Sequence, residues 1–181
     1  PKGNYSISRS SDYIYIGHAQ TKQNFESRMC IPHGLGMQLK TGNKCTSYRI
    51  GTWASGKTLC GPVIAQYADG SKYIGEYGTM CNKPDGVGKL IKPGKIIYDG
   101  NWRGGYKHGE GIIMWFKDGT SKTEKISKGF FDMSSPVGVH IESNLETNKT
   151  YKLVYDDPIS GSTARNTDGN DSDYKKEPIS S

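Results

Sequence analysis

The sequence predicts an all-β chain: an elongated antiparallel meander of stacked hairpins, with irregular extensions at both ends. Three observations carry that expectation. Glycine supplies 24 of the 181 residues and tyrosine 12, which points to many turns with aromatic strands between them. Hydrophobic residues make up 33% and mean hydropathy is −0.70, lean for a thick core and suited to a thin fold with both faces partly wet. The glycines also recur in phase. Gly51, Gly75 and Gly100 are 24 and 25 residues apart, and Gly61, Gly86 and Gly109 are 25 and 23 apart.

The elements follow in chain order. Residues 1–12 are polar and read as an N-terminal extension of disordered composition. A divergent first repeat spans about 13–47. Tyr15-Ile16-Gly17 opens it, a long insertion follows, and His33-Gly34-Leu35-Gly36 with Thr41-Gly42 closes it. The next repeat, 48–72, runs from Tyr48 to Trp53, through Gly56-Lys57 and Gly61-Pro62-Val63, to the turn Asp69-Gly70. Repeat 73–97 carries Tyr73-Ile74-Gly75-Glu76-Tyr77, then Gly86-Val87-Gly88 and Pro93-Gly94. Repeat 98–122 carries Tyr98-Asp99-Gly100-Asn101-Trp102, Gly104-Gly105, His108-Gly109-Glu110-Gly111 and Asp118-Gly119. A worn copy at 123–140 keeps Gly129-Phe130-Phe131 and Pro136-Val137-Gly138. Residues 141–181 form a C-terminal extension, in which Tyr151–Tyr155 reads as an added strand or a docked peptide.

Alternation along a strand gives each repeat two faces. It puts Tyr73, Gly75 and Tyr77 on one side and Ile74 and Glu76 on the other, with Leu90 joining the tyrosine face after the turn. Glycine between two aromatics leaves room for a neighbouring ring to lie over the backbone. The structural glycines on this reading are Gly51, Gly75, Gly86, Gly88, Gly100, Gly109 and Gly111. A lone hairpin is marginal in water, so each depends on its neighbours.

The aromatic-x-Gly-x-aromatic element, a glycine turn, then G-x-G and D-G, resembles the MORN repeat over roughly residues 13–140; Tyr98 to Gly119 fits it best. Gly78, Pro62, Pro136 and the split first unit depart from the pattern and blur the repeat boundaries. The resemblance implies a non-catalytic scaffold or structural subunit of a large assembly. Partner proteins would sit in an aromatic-lined groove formed by Trp53, Tyr73, Tyr77, Tyr98, Trp102 and Trp115, and on the terminal extensions. It further implies a cytoplasmic setting at the cytoskeleton or cilium, with a mitochondrial assembly as the alternative.

Charge adds a second reading. Net charge is +6, but from Asp156 onward six acids face three bases. The tail therefore carries −3, and the remaining 21 bases and 12 acids give the body +9. Lys83, Lys89, Lys92, Lys95, Arg103 and Lys107 are candidates for a basic rim that meets acidic phospholipid, as a peripheral membrane binder would. Ordinary solvated hairpin edges explain the same lysines. Neither specific nucleic-acid binding nor a small-molecule substrate is expected, and no cofactor or metal site is assigned.

Other motifs have plain structural explanations. Gly51-Thr52-Trp53-Ala54-Ser55-Gly56-Lys57-Thr58 spells G-x-x-x-x-G-K-[ST], yet Leu59-Cys60-Gly61-Pro62 cannot start the helix that a phosphate loop needs. His33 and His108 precede glycine in the repeat and are read as packing or turn residues. Cys30, Cys45, Cys60 and Cys81 lack paired metal spacing and read as separate reduced thiols. With no leader of secretory type, the sequons at Asn4, Asn148 and Asn170 read as chance matches. Pro1 fits an end left by initiator-Met trimming, and a cleaved transit peptide leaves the same start.

Overall fold

A computed structural model describes residues 5–10, 12–24, 27–40, 47–58, 61–78, 83–155 and 174–179, with the side chains of 22–24, 27–30, 57 and 58 excepted. The described residues are all-β, without a helix. Thr41-Gly42, Cys45, Cys60, Cys81, Asn4, Asn170 and the acids from Asp156 to Asp173 lie outside them.

The chain divides into two compact units, Pro1–Lys83 and Pro84–Ser181. Unit 1 is a meander in which each strand pairs antiparallel with the next. Its strands are β1 (Tyr5–Arg9), β2 (Tyr13–Asn24), β3 (Ser27–Lys40), β4 (Ser47–Ala54), β6 (Gly61–Gln66) and β7 (Lys72–Tyr77), with the short β5 (Lys57–Thr58) folded back on β4. Unit 2 repeats the arrangement with β8 (Pro84–Lys92), β9 (Ile96–Arg103), β10 (Tyr106–Phe116), β11 (Thr123–Asp132), β12 (Ser135–Asn144), β13 (Lys149–Tyr155) and β14 (Tyr174–Pro178).

The extensions contribute more order than their composition suggests. In β1, Tyr5, Ile7 and Arg9 alternate with serines, and that period of two pairs with β2. Tyr151–Tyr155 is indeed an added strand, the bulk of β13. A charged cluster helps dock β14: Lys176 and Lys125 reach the buried Glu142 at 2.9 and 3.3 Å, and Lys176 Nζ lies 3.9 Å from the Tyr151 ring.

The expected turns fall where the dipeptides place them. Gly70, Gly94 and Gly119 all have positive φ, closing Tyr67–Ser71, Lys92–Lys95 and Lys117–Lys122. A second kind of turn has two consecutive positive-φ residues: Ser55-Gly56, Gly104-Gly105 and Met133-Ser134. In all three, the second turn residue donates its N–H back to the preceding hairpin. Gly56 bonds Pro32 O at 2.9 Å, Gly105 bonds Pro84 O at 2.8 Å, and Ser134 bonds Lys107 O at 2.9 Å. One hairpin tip is thereby tied to the next.

The core lies on one face of each sheet. In unit 1 it comprises Tyr15, Trp53, Val63, Ala65, Tyr73 and Tyr77. In unit 2 it includes Ile96, Tyr98, Trp102, Ile113, Phe131 and Leu153. Each group shares a face by cross-strand register, so the aromatic side predicted from alternation is the buried side.

Candidate interaction surfaces

The aromatic face is built from one recurrent lock. Tyr15, Tyr73 and Tyr98 are each fully buried. Each donates its hydroxyl to the main-chain oxygen three residues on: to His18 at 2.7 Å, Glu76 at 2.8 Å and Asn101 at 2.8 Å. To reach it, the Tyr15 and Tyr98 hydroxyls pass the intervening glycine, and each ring lies over the glycine opposite that one on the next strand. A Cβ on Gly36 would collide with the Tyr15 ring, and one on Gly111 would stand 2.5 Å from Tyr98 Cε2. Tryptophan closes the lock: Trp53 Nε1–H bonds Gly36 O at 3.2 Å, and Trp102 Nε1–H bonds Gly88 O at 2.9 Å. Burial raises the phenol pKa of Tyr15 and Tyr98 above the ordinary value, so both hydroxyls keep their protons.

The two glycines of each G-x-G do different work. The first has positive φ, +83° at Gly34, +108° at Gly86 and +68° at Gly109. It sits at the bulge where the β2–β3 and β9–β10 registers shift. The second lies under a ring, as Gly36 and Gly111 show.

Counted from its glycine, the second repeat departs from the others. The residue two before Gly51 is Arg49, not Tyr48, so Arg49 takes the tyrosine place. Its guanidinium sits 5.8 Å from the Trp53 ring and donates to Gln38 Oε1 at 3.1 Å. One hairpin beyond Tyr98, His140 takes an equivalent place over Gly129. Its Nε2–H donates to Phe130 O at 2.7 Å, leaving Nδ1 to accept from Ser127 Oγ at 3.3 Å. Burial lowers the His140 pKa, partly offset by the bond to Phe130, so the ring is held neutral.

Five of the six groove aromatics are therefore buried. Tyr73 and Tyr98 are fully buried, and Trp53, Tyr77 and Trp102 are at most 7% exposed. Trp115 is half-buried, with Lys125 Nζ 4.4 Å from its ring. An open cleft of about 210 Å³ remains on unit 1, walled in part by Gln38, Lys40, Arg49, Tyr67 and Tyr77. Tyr67 and Tyr77 share a hydroxyl contact of 3.1 Å there.

Within unit 2 the basic residues do not share one face. Lys107 is 3% exposed and lies 5.5 and 5.8 Å from the rings of Tyr98 and Phe131, inside the aromatic face. Lys89 pairs with Asp99 at 2.9 Å on the opposite face. Lys83, Lys95 and Arg103 are exposed and Lys92 is half-buried.

The Gly51–Thr58 segment folds as a hairpin, with Trp53 opposite Thr58 and Ala54 opposite Lys57. This geometry offers no helix N-terminus to a phosphate. His108 Nδ1 lies 3.1 Å from Asp132 Oδ1 beside a hairpin tip, as a turn residue would. His18 packs edge-on against Tyr5 at 4.5 Å.

Sequence reasoning missed one surface entirely. On the face of unit 1 opposite the aromatics, Ile7, Ile16, Met37, Ile50, Ile64 and Ile74 stand directly opposite one another across six strands. Ile7, Ile16, Ile64 and Ile74 are 42–68% exposed. The residue before the glycine, Ile16, Ile50 and Ile74 in turn, was the signal. No family model matches the chain, and a search of curated proteins finds no match.

Proposed function

We propose that the chain is a non-catalytic scaffold built from MORN-type hairpins, a structural subunit that holds other proteins of a larger assembly. One observation carries this reading. The recurrent lock directs the polar atoms of Tyr15, Tyr73, Tyr98, Trp53 and Trp102 into the sheet backbone. The residues that repeat thus serve to extend a sheet. A fold of this kind presents a large surface per residue, as repeat scaffolds do.

Partner contacts then fall on the unlocked parts: Trp115 with its Lys125, the cleft beside Arg49 and the terminal strands. A cytoskeletal or ciliary assembly fits the resemblance, with a mitochondrial one as the alternative. The dispersal of the lysines gives the acidic-phospholipid reading no added support.

The test is purification of the tagged full chain at low and high salt, with mass spectrometry of what accompanies it. A defined, salt-resistant protein set is expected. A bare chain, or one carrying anionic lipid that is lost at high salt, would replace the scaffold reading with membrane binding.

A further inference from the structure

The opposite face of unit 1 points to a specific occupant. Its central row is the six-residue apolar ladder, Ile7, Ile16, Met37, Ile50, Ile64 and Ile74. At strand spacings of about 4.8 Å, it runs roughly 24 Å across the sheet. Four of its six members are exposed, with Met37 and Ile50 half-buried, and contiguous apolar rows at a surface mark contacts. In unit 2 the corresponding row reads Lys89, Asp99, Ile112, Lys128, Ile141, Lys152, so the fold itself does not require an apolar residue there.

The flanking rows show what covers the ladder. Two residues along each strand, one side carries Arg9, Leu39 and Lys72, and the other carries Tyr5, Leu35 and Glu76. The formal charges in these three rows are Arg9, Lys72 and Glu76, and all three are exposed. A two-fold axis parallel to the ladder, between two facing copies, keeps each strand opposite itself and exchanges the two sides. Lys72 then meets Glu76 of the other copy, Arg9 meets Tyr5, Leu39 meets Leu35, and the isoleucines meet along the axis. No like charges are brought together.

We infer that this face is a homodimer interface, two copies of the chain packed ladder to ladder as a two-layer sandwich. Facing sheets of this kind pack about 10 Å apart with interdigitated side chains. The contact is isologous, so it closes at two copies rather than growing into a filament. The inference stands apart from which proteins the scaffold holds.

Sedimentation velocity on the full chain over a concentration series tests it. A reversible monomer–dimer equilibrium in the micromolar range is expected. Ile16→Lys with Ile64→Lys, which copies the charge pattern of unit 2, should leave a monomer with an unchanged circular-dichroism spectrum and melting curve. Lys72→Glu and Glu76→Lys alone should each weaken the dimer by about tenfold or more, because the two-fold turns both Lys72–Glu76 pairs into like-charge contacts. The two together should restore it. A wild-type chain that stays monomeric, or a dimer indifferent to the ladder lysines, would overturn the inference. A charge exchange that fails to rescue would overturn the two-fold arrangement. Binding of a different protein or of lipid to the ladder of a monomeric chain would assign the face elsewhere.

Discussion

In unit 1 the residue before the locked glycine is Ile16 in β2, Ile50 in β4 and Ile74 in β7; in unit 2 it is Asp99 in β9 and Lys128 in β11. On the inner side, the tyrosine and tryptophan locks of the two units match. Tyr15 and Tyr98 cross their glycines identically, and Trp53 and Trp102 bond Gly36 O and Gly88 O in the same way. The frame is therefore held constant while the outward row changes from apolar to charged. A residue fixed by ring-over-backbone packing has few alternatives, whereas an outward residue beside a glycine is free to follow contacts. If the unit 1 ladder meets a second copy, the units differ in what they meet and share the fold beneath.

If the lock is the common frame, breaking it should cost both units alike. Gly36→Ala in unit 1 and Gly111→Ala in unit 2 each force a Cβ into a tyrosine ring. Each is expected to destabilise by roughly 2–4 kcal/mol, at or above the usual range for overpacking, because a stacked backbone relaxes poorly. Urea denaturation followed by tryptophan fluorescence measures this. A loss in one unit only would show that the frame is not shared.

Removing only the hydroxyl is milder. Tyr15→Phe and Tyr98→Phe keep the ring and delete the bond to His18 O or Asn101 O. About 1 kcal/mol each is expected, readable from the same denaturation curves.

His140 sharpens the contrast through pH. Its folded pKa is lowered by burial, so on acidification the unfolded chain takes a proton that the folded chain refuses. Its contribution is complete above the unfolded value near 6.5 and is lost as pH falls through the folded value. A fall of a few degrees in Tm between pH 7 and pH 5 is expected. His140→Phe should flatten that dependence even though its own Tm is lower. Hydrogen exchange should place the acid-sensitive opening in β11–β13.

The smallest expected effect lies on the outward row. Lys128→Ile should change unfolding free energy by no more than about 0.5 kcal/mol, as exposed substitutions do. It should nevertheless create new concentration-dependent association, because it joins Ile112 to Ile141. Light scattering detects that directly.

Much of the frame was legible because glycine geometry is local. Asp69-Gly70, Pro93-Gly94 and Asp118-Gly119 mark their turns unaided, and alternation around Gly75 gives the correct buried face. The phase of the second repeat was not legible from aromatics, since Tyr48 stands one residue earlier than Tyr73 or Tyr98 relative to its glycine. Burial of Lys107 and the role of His140 depend on which strand lies alongside, which no single segment encodes. The apolar ladder needs register across six strands. Ile74, seen alone, is one exposed isoleucine; opposite Ile64 and Ile50 it is part of a surface.

One measurement meets the central claim most directly. Met37 lies within the unit 1 ladder, and Met114 lies half-buried on the outward face of unit 2. Their oxidation by hydrogen peroxide, followed by peptide mass spectrometry at low and high concentrations of the full chain, compares the two faces inside one molecule. Met37 is expected to become protected as concentration rises while Met114 does not change. Met37 oxidising at a concentration-independent rate, or both methionines becoming protected together, would contradict the claim.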